Sequence, residues 1–285
     1  MKPSPFIHHR PATIGDAVRL LAELGNKDVR ILAGGQSLIP MMAFRLARPT
    51  HLIDINTIIG LDVIKVEEEV ITIGALCRHE DVRRLPIPGA TGLLLRTIVP
   101  NIAHRPIRSL GTFCGSIVNA DPASEWCLTV LTLGGVMNVV GPKGRRGIQA
   151  DAWFQGAMTT SLGSSEILET VSLPLLPEGT CFSFKEFSRR LGDFAIVSAL
   201  AVFELVNGRM VHVRLGVGGA EERPRRMTEA EGWLEGREPG VESFAGAATA
   251  VAADLVPMED IHTNANYRRN LAASLVRRAL EEASA

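Results

Sequence analysis

"ILAGGQSLIPMM", residues Ile31 to Met42, is the stretch on which the reading of this chain turns. An apolar run breaks into Gly34-Gly35, passes two polar residues and becomes apolar again. The preceding "DVRILAGG" reads as a strand from Asp28 to Ala33, and a helix is expected from Ile39. Two readings fit the turn between them. It is a plain strand–helix connection, or it is a cradle whose outward N–H groups and missing Cβ atoms let a diphosphate approach, with the Ser37 hydroxyl as a further donor. It is not a dinucleotide fingerprint, because G-x-G-x-x-G is absent, and not a Walker loop, because no Lys-Ser/Thr follows the glycines.

On the N-terminal side, "TIGDAVRLLAELG" predicts an amphipathic helix. Thr13 is its cap, Asp16 stands at capping-box spacing, Ile14, Ala17, Val18, Leu21 and Leu24 share a face, and Gly25 is the stop. On the C-terminal side come a short buried strand, "HLIDIN", and a hairpin, "DVIKVEEEVITIGA", around an acidic turn. These elements imply a small α/β lobe over residues 1–57 and a second lobe over 58–175. The second lobe should hold a helix from Thr91 to Asn101, another from Ala123 to Leu133, and the hairpin "GVMNVVGPKGRRGIQA". "PLLPEG", Pro174 to Gly179, reads as a linker to a third region, 176–285. There Asn207-Gly208 between apolar runs signals a hairpin. A three-stranded antiparallel sheet backed by helices is the simplest arrangement for Cys181 to Ala285.

The bulk properties narrow the functions. A chain of 285 residues is long enough for about two domains. With 46% hydrophobic and 21% charged residues it has the make-up of a soluble globular protein. A formal net charge of -1 gives no electrostatic reason to expect nucleic acid or an anionic membrane. No apolar run reaches the roughly 20 residues of a membrane span, and "MKPSPFIHHRPAT" lacks a signal-peptide core, so the expected location is the cytoplasm. Cys77, Cys114, Cys127 and Cys181 form no zinc or iron–sulfur spacing. His8, His9, His51, His79, His104, His212 and His262 show no metal spacing either. No metal is expected on this chain; if it works with metal clusters, another chain carries them.

A second glycine stretch changes the balance at Gly34-Gly35. "GTFCGSIVNADPASE" offers Gly111, Thr112, Gly115 and Ser116 within six positions. Two such loops can hold a diphosphate from both sides without a lysine. Glu125, at the mouth of the helix beyond, either accepts from ribose hydroxyls or is an acid placed to suit the helix dipole. "GPKGRRG" reads as a plain hairpin turn, with Lys143, Arg145 and Arg146 as solvated charges.

Five ordered segments then carry a resemblance over nearly the whole chain: "ILAGGQSLIPMM", "ITIGA", "IRSLGTFCGSIVNADPASE", "EILETVSLP" and "FKEFSRRLGDFAIVSAL". Together they resemble the flavoprotein (medium) subunits of the molybdenum hydroxylases, the family of carbon monoxide, nicotine and caffeine dehydrogenases and of the central domain of xanthine dehydrogenase. The resemblance implies an α+β fold. A two-lobed FAD-binding domain of the vanillyl-alcohol-oxidase (PCMH) type is followed by a C-terminal domain of the CO dehydrogenase flavoprotein type. It implies that Ala33, Gly34, Gly35, Gln36, Ser37 and Leu38 wrap the FAD pyrophosphate. Thr112, Cys114, Gly115 and Ser116 would hold its other side, and Ala75 of "ITIGA" would join them. Ile102 falls at the adenine, Glu125 at the ribose, Leu168 along the pocket and Lys185 within reach of the cofactor. Asp193 of "SRRLGDFA" lies near the flavin ring. The family pattern "GTIGG" is "GTFCG" here, which adds a Cβ at Cys114 where backbone meets phosphate. Cys114 reads as a small packing residue rather than a reactive thiol.

The implied function is electron transfer within a heteromeric hydroxylase. A large partner subunit holds molybdopterin, a small one holds two [2Fe–2S] clusters, and FAD on this chain links them to an outside acceptor, in a dimer of heterotrimers. "SRRLGDFA" resembles the nicotine-type branch more than the carbon monoxide branch. Two rivals stand beside this reading: a self-contained flavin oxidase or NAD(P)H reductase, for which the chain shows no clear acid–base set, and a flavin-free interaction subunit.

Overall fold

The computed structural model describes residues 2–25, 27–261 and 263–285; Met1, Asn26 and the last of the seven histidines, His262, lie outside them. The chain begins with β1 (Ile7–His9) and α1 (Ile14–Glu23). Asp16 N donates to Thr13 Oγ1 at 3.1 Å, and Ala17, Val18 and Leu21 are buried, so the cap and the apolar face form where the sequence puts them. β2 (Val29–Leu32), α2 (Leu38–Ala43) and β3 (His51–Asp54) follow. The three strands pair in parallel in the order β1-β3-β2, and α1 and α2 are the crossovers that parallel pairing requires.

The next sheet is antiparallel. β4 (Ile64–Glu67) and β5 (Val70–Gly74) form the expected hairpin. Then come α3 (His79–Arg84), α4 (Gly89–Ile98) with a 3₁₀ turn at Val99–Asn101, α5 (Arg105–Arg108), α6 (Phe113–Asn119) and α7 (Glu125–Leu133). β6 (Val136–Gly141) and β7 (Gly144–Gln149) turn over at Pro142-Lys143, so "GPKGRRG" is a hairpin. Its arginines are exposed, as solvated charges should be, and each also pairs with a glutamate: Arg145 with Glu169 at 2.6 Å and Arg146 with Glu166 at 2.7 Å. α8 (Ala150–Trp153), β8 (Phe154–Gly156), β9 (Thr159–Thr160) and β10 (Ile167–Pro174) complete this part. The strand order is β4-β5-β10-β6-β7, with β10 threaded between two hairpins. Every α7 residue from Trp126 to Leu133 is buried, as are Phe113 and Trp153, so helix and sheet share one core.

The last part holds β11 (Cys181–Phe187), β12 (Val197–Val206), β13 (Arg209–Gly218), β14 (Arg225–Arg226), α9 (Thr228–Leu234), α10 (Val241–Asp254) and α11 (Ala265–Ala283). Asn207 and Gly208 sit at φ 51° and 76°, as the tight turn between β12 and β13 requires. The sheet has four strands, in the order β11-β12-β13-β14, where three were expected. The fourth is two residues long, too short to show an alternating pattern.

Both faces of this sheet are covered. Phe184, Leu200 and Val202 join the core around the five-stranded sheet. Ala199, Ala201 and Phe203 join a second core with α9, α10 and α11. The architecture is therefore α+β, a two-lobed N-terminal part followed by a smaller sheet-and-helix part. Among the described residues no helix is long and apolar enough to cross a membrane.

Candidate cofactor site

The two glycine stretches meet. A Cβ added at Gly34 would lie 2.5 Å from Leu110 O, 2.8 Å from Gly111 Cα and 3.0 Å from Thr112 N. Backbone thus lies on backbone, and only glycine allows it at position 34. Gly35 adds a left-handed turn at φ +71°.

Three groups that sequence reasoning missed hold the loops together. Asn56 Nδ2 donates to Ala33 O at 2.8 Å and to Asp54 Oδ1 at 2.7 Å. Arg78 Nη2 donates to Asn56 Oδ1 at 2.8 Å, and Arg78 Nη1 to Leu110 O at 2.5 Å. Below the second loop, His79 N donates to Gly111 O at 3.1 Å, and the imidazole lies where a Gly111 Cβ would be, 2.7 Å from Nε2. Trp126 Nε1 donates to His79 Nδ1 at 2.9 Å, which puts the ring proton on Nε2. Burial, with Arg108 and Arg78 nearby, pushes His79 down to about 4, so the buttress is neutral. One signal was readable: Asp54-x-Asn56 after a strand is an Asx turn, and Asn56 N indeed donates to Asp54 Oδ1 at 3.0 Å.

The loops use their carbonyls and leave their amides. Ala33 O and Leu110 O accept from Asn56 and Arg78, and Gly34 O accepts from Gln36 Nε2 at 3.1 Å. The N–H groups of Gly34, Gly35, Gln36, Ser37, Thr112 and Cys114 have no acceptor among the described residues. Six unpaired donors on two abutting loops are what an anion cradle without a lysine needs. The extra Cβ at Cys114 does not obstruct it. That side chain is 2% exposed, and its Sγ lies 3.6 Å from Ile73 O, on the core side. Gly115 N donates to Thr112 Oγ1 at 3.0 Å and fixes the second loop as the cap of α6. The residues present therefore fit a diphosphate.

The remaining expected residues divide. Ala75 is buried in the segment that runs from β5 to Arg78, its N–H bound to Glu169 O at 2.9 Å. Ile102 and Leu168 are 7% and 3% exposed and belong to the large core. Arg108 Nη1 pins the turn after Ile102 through Ile102 O and Ala103 O. Glu125 opens α7, where Ser124 caps the helix, and burial lifts its carboxyl to about 7 with help from Asp121. Asp193 sits in an exposed turn, its N–H bound to Arg190 O at 3.0 Å; neighbouring Gly192 lies against the His104 ring.

Lys185, expected within reach of the cofactor, is engaged with the C-terminal helix. It shares the α11-facing side of β11 with Ser183, and both side chains bind Glu282 of α11. Its neighbour Glu186, not singled out from the sequence, takes the other side with Phe184, facing the N-terminal core. Burial and the charge of Glu125 push Glu186 up to about 8. Among the described residues no group of His, Cys, Asp and Glu side chains is arranged to hold a metal ion.

Comparison with known proteins agrees with this fold. Residues 4–176 match the model of the FAD binding domain in molybdopterin dehydrogenase, and residues 182–283 the CO dehydrogenase flavoprotein C-terminal domain. The nicotine 6-hydroxylase medium subunit of Paenarthrobacter nicotinovorans is 36% identical over 285 residues, covering 100% of this chain and 99% of its own. The carbon monoxide dehydrogenase medium chain of Hydrogenophaga pseudoflava is 33% identical, covering 99% and 98%. A structure of carbon monoxide dehydrogenase from Hydrogenophaga pseudoflava superimposes with a TM-score of 0.96 at 34% identity, covering 100% of this chain and 99% of that one. Quinoline 2-oxidoreductase from Pseudomonas putida 86 gives 0.92 at 31%, with 100% and 99% covered. With both domain models matched in order and both chains aligned end to end, this chain belongs to the FAD-binding medium subunits of the molybdenum hydroxylases.

Proposed function

We propose that this chain is the electron-transfer subunit of a heteromeric molybdenum hydroxylase. It stands between the [2Fe–2S] clusters of a small partner subunit and an external electron acceptor, while a large molybdopterin subunit hydroxylates the substrate. The contact of Gly34 with Leu110–Thr112 carries this reading, because it turns two remote loops into one anion cradle. The medium subunits to which the chain is similar support the assembly.

FAD, when bound, supplies redox chemistry that links one-electron donors to one- or two-electron acceptors. The chain's own residues bind and orient. The amides of Gly34, Gly35, Gln36 and Ser37, with those of Thr112 and Cys114, take the pyrophosphate, and the Ser37 and Ser116 hydroxyls stand beside them. Leu38, Ala75, Ile102 and Leu168 supply apolar walls, and Glu125 accepts from ribose. Asp193 belongs to the turn that borders the ring. Lys185 is engaged with Glu282, so charge on the phosphates falls to the amide dipoles.

The domain division falls near residue 175, and the assembly is a cytoplasmic dimer of heterotrimers without nucleic acid. The large subunit sets the substrate, and "SRRLGDFA" favours the nicotine-type branch. Purification of the full chain tests this. Flavin absorption bands, and two co-purifying chains bearing molybdenum and iron, are expected. Protein that stays colourless after incubation with FAD overturns the reading.

A further inference from the structure

The face of β11 and β12 turned toward the N-terminal core carries two polar atoms, Glu186 Oε2 and Ser198 Oγ, that nothing among the described residues satisfies. Glu186 and Ser198 are direct cross-strand partners, so their side chains share that face. Ser198 is 0% exposed, and among the described residues its Oγ has no hydrogen-bond partner; Glu186 Oε2 is buried and has none there either. Opposite them stands α7. A Cβ added at Gly218, the partner of Ser198 on β13, would meet Ser198 Oγ at 2.8 Å and Leu128 Cβ at 3.4 Å. Leu128 is one helical turn after Glu125, and the charge of Glu125 is felt at Glu186.

Two carboxylates and a hydroxyl are thus gathered at the junction of α7 with the C-terminal sheet. Asp121, just ahead of α7, adds a third acid, held in an Asx turn with Ala123 N at 2.9 Å. Among the described residues no lysine or arginine charge acts on Glu125, Glu186 or Asp121. A buried acceptor left without a donor is destabilising, so such a cluster is tolerated where a ligand brings the donors. Vicinal hydroxyl groups are suitable donors, since each O–H can be accepted by one carboxylate oxygen.

We propose that Glu186 is a cofactor-binding residue, contributed by the C-terminal part of the chain, that accepts a hydroxyl of the adenosine ribose opposite Glu125, with Ser198 as a positioning residue behind it. This rests on the reading of the glycine loops as an FAD site. It adds a third wall to that site, one that no glycine motif marks. The ribityl chain of the flavin half carries the same chemistry, so the test separates the two.

Titration of the full-length apoprotein with FAD, ADP and FMN decides it. Glu186→Leu is expected to weaken FAD and ADP about tenfold, the size of one buried hydrogen bond lost. FMN, which lacks the adenosine, should change less than twofold. Ligand discrimination gives a second readout. Wild-type protein should prefer ADP to its 2′,3′-dideoxy analogue, and Glu186→Leu should lose at least two thirds of that preference. Because the variant removes an unpartnered buried carboxylate, its ligand-free Tm should match or exceed wild type. Glu186→Gln, nearly isosteric, covers the case in which leucine is not accommodated, with about threefold weaker FAD. Ser183→Ala, on the opposite face of the same strand, should bind FAD as wild type does.

Unchanged FAD and ADP affinity in both Glu186 variants overturns the proposal. So does a loss confined to FMN, an equal loss in Ser183→Ala, or a fall in ligand-free Tm large enough to account for the weaker binding. If wild-type protein itself fails to take FAD, the glycine-loop reading fails, and that result is distinct from wild-type binding with an indifferent Glu186.

Discussion

Arg78 Nη2 donates to Asn56 Oδ1 at 2.8 Å, and through that bond two loops far apart in sequence become one site. Asn56 holds Ala33 O on one side, and Arg78 holds Leu110 O on the other. Replacing Arg78 by methionine keeps most of the packing but frees the Leu110 carbonyl and the Asn56 amide oxygen. FAD affinity is expected to fall about tenfold, or ~1.4 kcal/mol, with a smaller drop in Tm. Calorimetric titration of apoprotein measures it; unchanged affinity would show that the loops keep their spacing unaided.

Gly34 tests the contact itself. In Gly34→Ala the new methyl meets Leu110 O at 2.5 Å and Gly111 Cα at 2.8 Å, both backbone atoms that cannot swing away. Overpacking of this kind costs about 1–3 kcal/mol, and the loops should part enough for the protein to purify without flavin. Gly232→Ala is the control, because nothing lies within 4 Å of its added Cβ and it sits in helix α9. There alanine should be neutral or stabilise by up to ~1 kcal/mol.

Thiol chemistry reports the placing of Cys114. Burial pushes Cys77 up to about 11, Cys127 up to about 12 and Cys114 well above the usual thiol range. Cys181 is only partly buried. A disulfide reagent should therefore titrate one thiol quickly in the native chain and all four only after unfolding. Fast labelling of a second thiol, mapped to Cys114, would contradict its inward placement.

The acid pair makes the ligand-free protein respond to pH. Glu125 and Glu186 are lifted by burial to about 7 and about 8, above their unfolded values near 4.3. Folded protein therefore holds protons that unfolded protein has released. The stability these groups allow is fully present below about pH 4.3 and is lost as pH rises toward 8. Each proton contributes a slope of about 1.4 kcal/mol per pH unit within its window. Tm of apoprotein measured from pH 5 to 8.5 should carry a downward component that flattens in the Glu125→Gln, Glu186→Gln double variant. His79 works in the other direction and lower. Its depressed value means that stability is lost as pH falls from 6.5 toward 4.

Where the structure required local backbone freedom, the chain could be read in advance. Gly34, Gly35, Thr112 and Gly115 announce themselves because few residue types tolerate such turns, and Thr13 and Asn207-Gly208 announce a helix start and a hairpin for the same reason. Asn56 and Arg78 do not. They are 22 positions apart, and Arg78 and Leu110 are 32 apart, so their bonds exist only once three elements have docked. The surroundings of Lys185 were hidden for a different reason. A strand's period of two says that Lys185 and Glu186 face opposite ways, but not which way. The usual guide, one apolar and one wet face, is missing because both faces of β11 are covered. The two-residue strand β14 is silent for want of length.

That doubly covered sheet bears on how the chain is born. On a ribosome, β10 is complete while the surface awaiting Phe184, Leu200 and Val202 is still bare. Roughly 30 further residues must emerge before β12 can shield it, a delay of a few seconds at ~5–20 residues per second. Through that interval the nascent polypeptide carries a sticky flank, so a stalled or prematurely terminated copy is a natural client for chaperones. A gene cut at "PLLPEG" should accordingly yield insoluble product.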